Sequence, residues 1–137
     1  MKGDSARKEK LIYWTTTGLV AAVMTFSVVN FNLADPVGAF ERPFAHLGLP
    51  DYLRVELTIA KTLGLAALLI PGVPARVREF AYCGFAITLV SAAFAHYSVG
   101  DSAVFVLNPL FFLGMLAVSY VYSHRIRRRR SSRSSAA

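Results

Sequence analysis

LIYWTTTGLVAAVMTFSVVNFNLA, residues 11–34, runs without a single charged side chain. About 20 predominantly apolar residues are enough to cross the hydrocarbon core of a bilayer as a helix. A cleaved signal peptide is the alternative, but its apolar region spans only about 7–15 residues and precedes a small-x-small cleavage site. This stretch therefore predicts a transmembrane helix.

The composition of the whole chain favours the same class of protein. Its 137 residues are 55% hydrophobic, and the mean hydropathy is +0.46. A soluble domain of this size would have difficulty burying so much apolar surface. The net charge of +7 does not indicate nucleic-acid binding, because the basic residues flank apolar segments. The single cysteine, Cys83, excludes an intramolecular disulfide, a CxxC pair and a cysteine zinc cluster.

Three further apolar segments follow, at about residues 52–70, 79–98 and 102–123. The first of them ends at Pro71 and Gly72, because proline cannot continue the helical hydrogen-bond ladder. The sequence therefore predicts an all-α, polytopic membrane protein with a four-helix transmembrane domain over residues 11–123. Pro109 lies early in the last helix, where we expect it to free a carbonyl and bend the chain.

The distribution of Lys and Arg predicts the orientation of these helices. Twelve of the 15 lie in the head, residues 1–10, in the 71–78 loop, or in the tail, residues 124–137. Such flanks are normally cytoplasmic, so both termini should lie inside the cell and the protein in the cytoplasmic membrane. The tail has almost no apolar content and is predicted to be disordered, with its arginines attracted to anionic lipid headgroups.

The first outer loop carries the pattern of a short interfacial helix. Asp35 is a candidate N-cap with Pro36 as first helical residue, and Gly48 is a candidate stop. One apolar face is formed by Val37, Phe40, Phe44 and Leu47. Pro43 weakens this prediction, since it breaks the bond back to Ala39.

Polar residues within the four helices collect in the outer half of the bundle. They predict a polar pocket that opens toward the outer face and narrows toward Lys61, a cation in the middle of the second helix. The predicted lining consists of Asn30, Glu56, Lys61, His96, Asp101 and Asn108.

Each of these residues also has a structural interpretation. Lys61 is either an internal ion-pair partner, for example of His96 or Asp101, or a side chain that snorkels to the interface. Glu56 is also explained as a charge at the membrane interface, and His96 as a hydrated histidine near the surface.

The remaining polar residues have structural explanations too. Asp101 follows Gly100 and is explained as the cap of a turn. Asn108 precedes Pro109 and suits a partner for a freed carbonyl, while Cys83 suits a small core residue.

Motifs for common chemistries are missing from the sequence. There is no GxGxxG, Walker loop, HExxH or nucleophile elbow, so no cofactor motif or metal site is evident. The three histidines His46, His96 and His124 do not suit a bis-histidine haem, because only the first two have similar depth. The apolar inner half argues against a channel.

The chain resembles the DoxX-like family of small four-helix membrane proteins over about residues 11–123. The resemblance rests on PFAHLGLPDYLR (43–54), AKTLGLAALLIPG (60–72), REFAYCGFAITLVSAAFAHYSVGD (78–101) and NPLFFLGMLAVSY (108–120). It implies shared roles at Lys61 and His96, whereas at Glu56 relatives look more often apolar. The family's name comes from a subunit of a thiosulfate:quinone oxidoreductase, so the resemblance implies a link to quinone-coupled redox chemistry.

Two functional hypotheses follow. The favoured one is a non-enzymatic membrane module that binds a lipid or a partner protein, with Lys61 in a structural ion pair. The alternative is a membrane subunit of a quinone-linked oxidoreductase, in which Lys61 and His96 hydrogen-bond the carbonyl oxygens of the quinone. Whether the protein is an enzyme stays open at this point.

Overall fold

The computed structural model describes residues 2–33 and 43–134, and within these ranges the chain is all-helical without a strand. The five helices, in chain order, are α1 (Lys2–Leu33), α2 (Pro43–His46), α3 (Asp51–Leu69), α4 (Ala75–Ser98) and α5 (Ala103–Ser134). The all-α fold class is therefore confirmed.

The four long helices pack in a closed ring in which α1 contacts α3 and α5, and α4 contacts the same two helices. Contacts between the helices show that α3 runs antiparallel to α1, and α5 antiparallel to α4: Ser27 lies beside Lys61 and Asn32 beside Thr58, while Tyr82 lies beside Ser119 and His96 beside Phe105. We call the end with residues 46–51 and 99–102 the turn end, where Asn32 Nδ2 donates to Thr58 Oγ1 at 3.0 Å. We call the opposite end the terminal end, where Arg129 Nη2 lies 2.8 Å from Glu9 Oε1. Both chain termini therefore approach the same end of the bundle.

The outer surface of the bundle is apolar, as a membrane protein requires. By length and composition, three helices are able to span a bilayer: Asp4–Asn30, Ala75–Ser98 and Ala103–Arg129. Large side chains on these helices are exposed, such as Phe80 at 79%, Phe94 at 71% and Val104 at 72%. The fourth long helix, α3, is more polar because it carries Arg54, Glu56 and Lys61.

The core is a column of side chains from all four long helices. Its members are Val20, Met24, Ala67, Leu68, Ala81, Tyr82, Phe85, Leu89 and Leu116. α3 and α4 approach closely at Gly64, where an added Cβ would lie 2.7 Å from Cζ of Phe85. This contact fixes the register of the two antiparallel helices, with Gly64 level with Phe85.

The ends of the long helices differ from the sequence prediction. The basic head belongs to α1, and α5 continues to Ser134 through most of the tail that was predicted to be disordered. Arg and Lys are good helix formers, and ion pairs join the segments. Arg129 pairs with Glu9, and Arg127 Nη2 lies 3.4 Å from Glu79 Oε1. The composition of one segment does not show which residues of another helix will pair with it, so these ion pairs could not be predicted from the tail alone.

The turns between helices follow the sequence signals. Gly72 and Gly100 adopt positive φ values of 87° and 78°, which suit glycine because it has no Cβ. Most of the predicted interfacial helix, residues 34–42, lies outside the described residues. Its last part forms α2, which is followed by Gly48 with a φ of 66°. Pro109 lies inside α5, and the helix continues on both sides of it.

Candidate functional site

Lys61 is held inside the bundle. Its side chain projects from the middle of α3, the residue is only 5% exposed, and its Nζ donates to Ser27 Oγ of α1 at 2.8 Å. A buried ammonium needs such partners, because the desolvation of a charge is costly. Ser27 had no distinct signal in the sequence, because the same helix carries four threonines as well.

A groove of about 280 Å³ runs between α3 and α4 next to Lys61. Apart from Lys61 and Thr88 its walls are apolar, and the Thr88 hydroxyl already donates to the Gly84 carbonyl at 2.8 Å. Leu63 and Phe80 line it and are strongly exposed, so the groove opens at the side of the bundle, toward lipid. The lining residues are Ala60, Lys61, Leu63, Gly64, Ala67, Val77, Phe80, Ala81, Gly84, Phe85 and Thr88.

At the turn end, a carboxylate bridges two imidazoles. His96 Nδ1 lies 2.6 Å from Asp101 Oδ2, and His46 Nε2 lies 2.9 Å from Asp101 Oδ1. Since an ionised carboxylate only accepts hydrogen bonds, both ring nitrogens donate. Phe105 stacks on the His96 ring with 5.7 Å between centroids. This cluster ties the end of α4 to the last residue of α2.

The end of α4 places the Asp101 carboxylate. The Asp101 backbone N–H donates to the His96 carbonyl at 3.1 Å, and that of Gly100 donates to the Tyr97 carbonyl at 3.2 Å. These two bonds with a left-handed glycine form a Schellman motif, which folds the chain back over the last helical turn. The turn therefore returns the Asp101 side chain to His96, five residues earlier.

The electrostatics of Asp101 follow from these contacts. The hydrogen bond from His96, then that from His46, lowers the pKa of Asp101 below its ordinary value of 3.8. The carboxylate is therefore ionised at neutral pH.

The structure gives Lys61 and His96 different partners and different depths. Since Gly64 is level with Phe85, Lys61 lies level with about Thr88, which lines the same groove. His96 is about 12 Å further along the helix axis, at 1.5 Å per residue. Lys61 binds Ser27, whereas His96 binds Asp101.

Of the six predicted pocket residues, His96 and Asp101 are in direct contact. The other four are Asn30, Glu56, Lys61 and Asn108; of these, Asn30, Glu56 and Asn108 are exposed, and Lys61 is buried. The groove that contains Lys61 has none of the other five in its lining and opens sideways. Cys83, predicted as a core residue, is exposed on α4.

A second cavity, of about 270 Å³, lies at the terminal end. Charged and aromatic side chains form much of its wall, and all four long helices contribute. This cavity was not predicted from the sequence, because the basic residues of the head, the 71–78 loop and the tail were interpreted only as determinants of orientation. The lining residues are Lys10, Tyr13, Trp14, Leu68, Leu69, Pro71, Gly72, Ala75, Arg78, Glu79, Tyr82, Tyr120, Ser123, His124, Ile126 and Arg127.

A chain of buried hydroxyls lies deeper in the bundle and is reached through Tyr82, which also lines the terminal-end cavity. The Tyr82 hydroxyl is 2.8 Å from Ser119 Oγ, and Ser119 Oγ is 2.7 Å from Thr17 Oγ1. Thr17 and Ser119 are each 1% exposed. The chain of hydroxyls joins α1, α4 and α5. Thr17 is the last of three consecutive threonines, but nothing in the sequence indicates that its hydroxyl meets Ser119, 102 residues away.

Within the described ranges, no group of three His, Cys, Asp or Glu side chains is arranged to hold a metal ion. The donors of the turn-end cluster are two imidazoles and one carboxylate, already bonded to each other. For a cofactor, the groove beside Lys61 provides an apolar wall and an N–H donor.

Comparison with known protein families matches residues 15–119 to the family described as the DoxX-like family. The match covers α3 and α4 completely and α1 and α5 in part, and it includes Lys61, His46, His96 and Asp101. Much of the terminal-end cavity, from Lys10 to Trp14 and from Tyr120 to Arg127, lies outside the match. Neither a curated protein nor a solved structure matches the chain.

Proposed function

The chain belongs to the DoxX-like family, and from this premise we propose that it is a membrane-embedded binding module. Its ligand is an apolar molecule of the bilayer with a polar head that accepts a hydrogen bond. The chain of this molecule lies in the groove between α3 and α4, and its head meets the Lys61 ammonium. The activity of the protein is thus recognition within the membrane.

The observation that supports this proposal is a cation in the wall of a groove that opens to lipid. An ionisable side chain within a transmembrane segment is costly and usually serves a function. Lys61 Nζ donates to Ser27 Oγ at 2.8 Å, which holds the ammonium in the wall of the groove. A lateral entrance gives a bilayer molecule direct access without passage through water.

The proposal includes four membrane crossings with both termini cytoplasmic. The pair of Glu9 and Arg129 brings the start of α1 and the end of α5 to one end of the bundle. Three crossings would separate these two segments, which supports a fourth crossing by α3. The excess of Lys and Arg at the terminal end supports the cytoplasmic side for that end.

Ligand binding by the purified protein tests the proposal. In neutral detergent, oleate and a short-chain quinone are titrated separately, and the shift of the thermal unfolding midpoint is recorded. We expect at least one of them to stabilise the wild type and to lose its effect in Lys61→Met. Thr88→Val is the matched control, since it changes a polar side chain in the same groove without removing the cation.

Stabilisation that is the same in Lys61→Met as in wild type would contradict the proposal, as would no effect of either compound. A response to the quinone alone would favour the alternative function, a subunit of a quinone-linked oxidoreductase. The hydrogen-bonded cluster of His46, His96 and Asp101 supports that alternative, because histidine commonly serves as a proton carrier in proteins. In it, Lys61 donates to one carbonyl oxygen, and the histidines serve proton transfer at the turn end.

A further inference from the structure

We propose that the terminal-end cavity is a binding site for an anionic phosphate group, supplied by the head group of a membrane phospholipid. This site is separate from the groove beside Lys61 and does not depend on the function proposed for that groove. It lies at the opposite end of the bundle from the cluster of His46, His96 and Asp101.

The charge of the cavity wall favours an anion. Lys10, Arg78 and Arg127 contribute three cations, and Glu79 contributes one carboxylate. Glu79 is shared by Arg127 at 3.4 Å and His124 at 3.6 Å. With His124 neutral, the wall of the cavity therefore carries a net charge of +2.

Arg78 supplies a donor that lacks an acceptor. Its Nη2 donates to the carbonyl of Ile70 at 3.1 Å, which fixes the guanidinium against the end of α3. Its Nε is buried and has no hydrogen-bond partner among the residues that the structure describes. A buried donor without an acceptor is costly, and guanidinium groups bind phosphate oxygens with good geometry. A phosphate in the cavity would provide the missing acceptor.

The other walls suit a lipid rather than a free ion. Tyr13, Trp14 and Tyr120 line the cavity, and such aromatic side chains are typical of the depth at which lipid headgroups lie. Leu68, Leu69 and Ile126 give the same cavity an apolar side. Basic pockets between transmembrane helices are a general means of holding anionic head groups.

Binding in this cavity is distinct from a general attraction of anionic lipids by the basic tail. Arg125 and Arg128 are exposed and do not line the cavity, and Arg129 is paired with Glu9. The chain also offers a matched control in Arg76, which is exposed on the first turn of α4 and outside the lining. Arg76→Gln and Arg78→Gln change the net charge equally, two residues apart.

The test is a titration of the purified full-length protein in neutral detergent at about 0.15 M salt, which screens general surface attraction. Short-chain phosphatidylglycerol, short-chain phosphatidylcholine and inorganic phosphate are added separately, and binding is measured as thermal stabilisation. We expect phosphatidylglycerol to bind more tightly than phosphatidylcholine. Arg78→Gln should weaken it roughly tenfold or more, the usual effect of losing a hydrogen bond to a charged group.

Arg76→Gln should weaken binding by no more than about fivefold, the contribution of one surface charge. If Arg78→Gln fails to fold, Arg78→Lys replaces it, since lysine keeps the charge but lacks Nε and should still weaken binding more than Arg76→Gln. Binding of inorganic phosphate without phosphatidylglycerol would assign the site to a soluble phosphate. Equal binding of the two lipids with no effect of phosphate, or equal losses at Arg76 and Arg78, would overturn the proposal.

Discussion

The two ends of the bundle use charged residues in opposite ways. At the turn end, Asp101 accepts from two histidines, so that acid and base satisfy each other. At the terminal end, cations outnumber the carboxylate around a cavity, and Arg78 Nε has no partner among the described residues. A cluster of polar residues along a membrane sequence therefore does not by itself predict a ligand site. What matters is whether the groups satisfy one another.

The sharpest test of the turn end is Asp101→Asn. We expect the largest loss of thermal stability among the variants compared in this section, a fall of several degrees in the unfolding midpoint in detergent. The amide no longer offers an ionised acceptor to His46 and His96, and the link between the end of α4 and α2 weakens. Asp4→Asn is the control, because Asp4 forms only an exposed pair with Lys8 and should change the midpoint little. Equal midpoints in the two variants would mean that the turn end is not held by this cluster.

Acidification should weaken the same contact in the wild type. The folded-state pKa of Asp101 lies below its ordinary value of 3.8, first because of the hydrogen bond from His96. Its contribution to stability is therefore present above the ordinary pKa and is lost as the pH falls through the folded-state pKa. Unfolding midpoints between pH 5 and pH 2 should fall more steeply in wild type than in Asp101→Asn. Parallel curves would show that another carboxylate governs the acid response.

Much of the fold followed from sequence because the membrane imposes simple constraints. Apolar segments of sufficient length, Pro71 with Gly72, and Gly100 predicted where α1, α3, α4 and α5 lie and where they turn. The ends of α1 and α5 were less predictable, since the helical head and tail stabilise each other through pairs such as Glu9 with Arg129. Such contacts join residues far apart in sequence, and composition alone carries no information about them.

The candidate sites were harder to predict than the fold. The positions of His96 and Asp101 in the predicted helices placed both residues near one end of the bundle. The Schellman turn brings them into contact. The depth of Lys61 along α3 did not show in which direction a groove beside it would open. The predicted pocket opens to the outer face, whereas the groove beside Lys61 opens sideways to lipid. The terminal-end cavity was not predicted, because Arg78 and Arg127 were already explained by the excess of Lys and Arg on the cytoplasmic side of membrane proteins.

The Ser119→Ala variant tests whether the buried hydroxyls contribute to the free energy of unfolding in the terminal half of the bundle. The substitution removes the shared partner of Thr17 and Tyr82, which lie 2.7 Å and 2.8 Å from Ser119 Oγ. We expect a loss of about 1 kcal/mol, since hydrogen bonds between transmembrane helices contribute modestly. Ser91→Ala on the exposed side of α4 is the control, and denaturant unfolding in mixed micelles gives both free energies. A loss at Ser119 no greater than at Ser91 would show that apolar packing around Leu68 and Phe85, and not the chain of hydroxyls, sets the stability there.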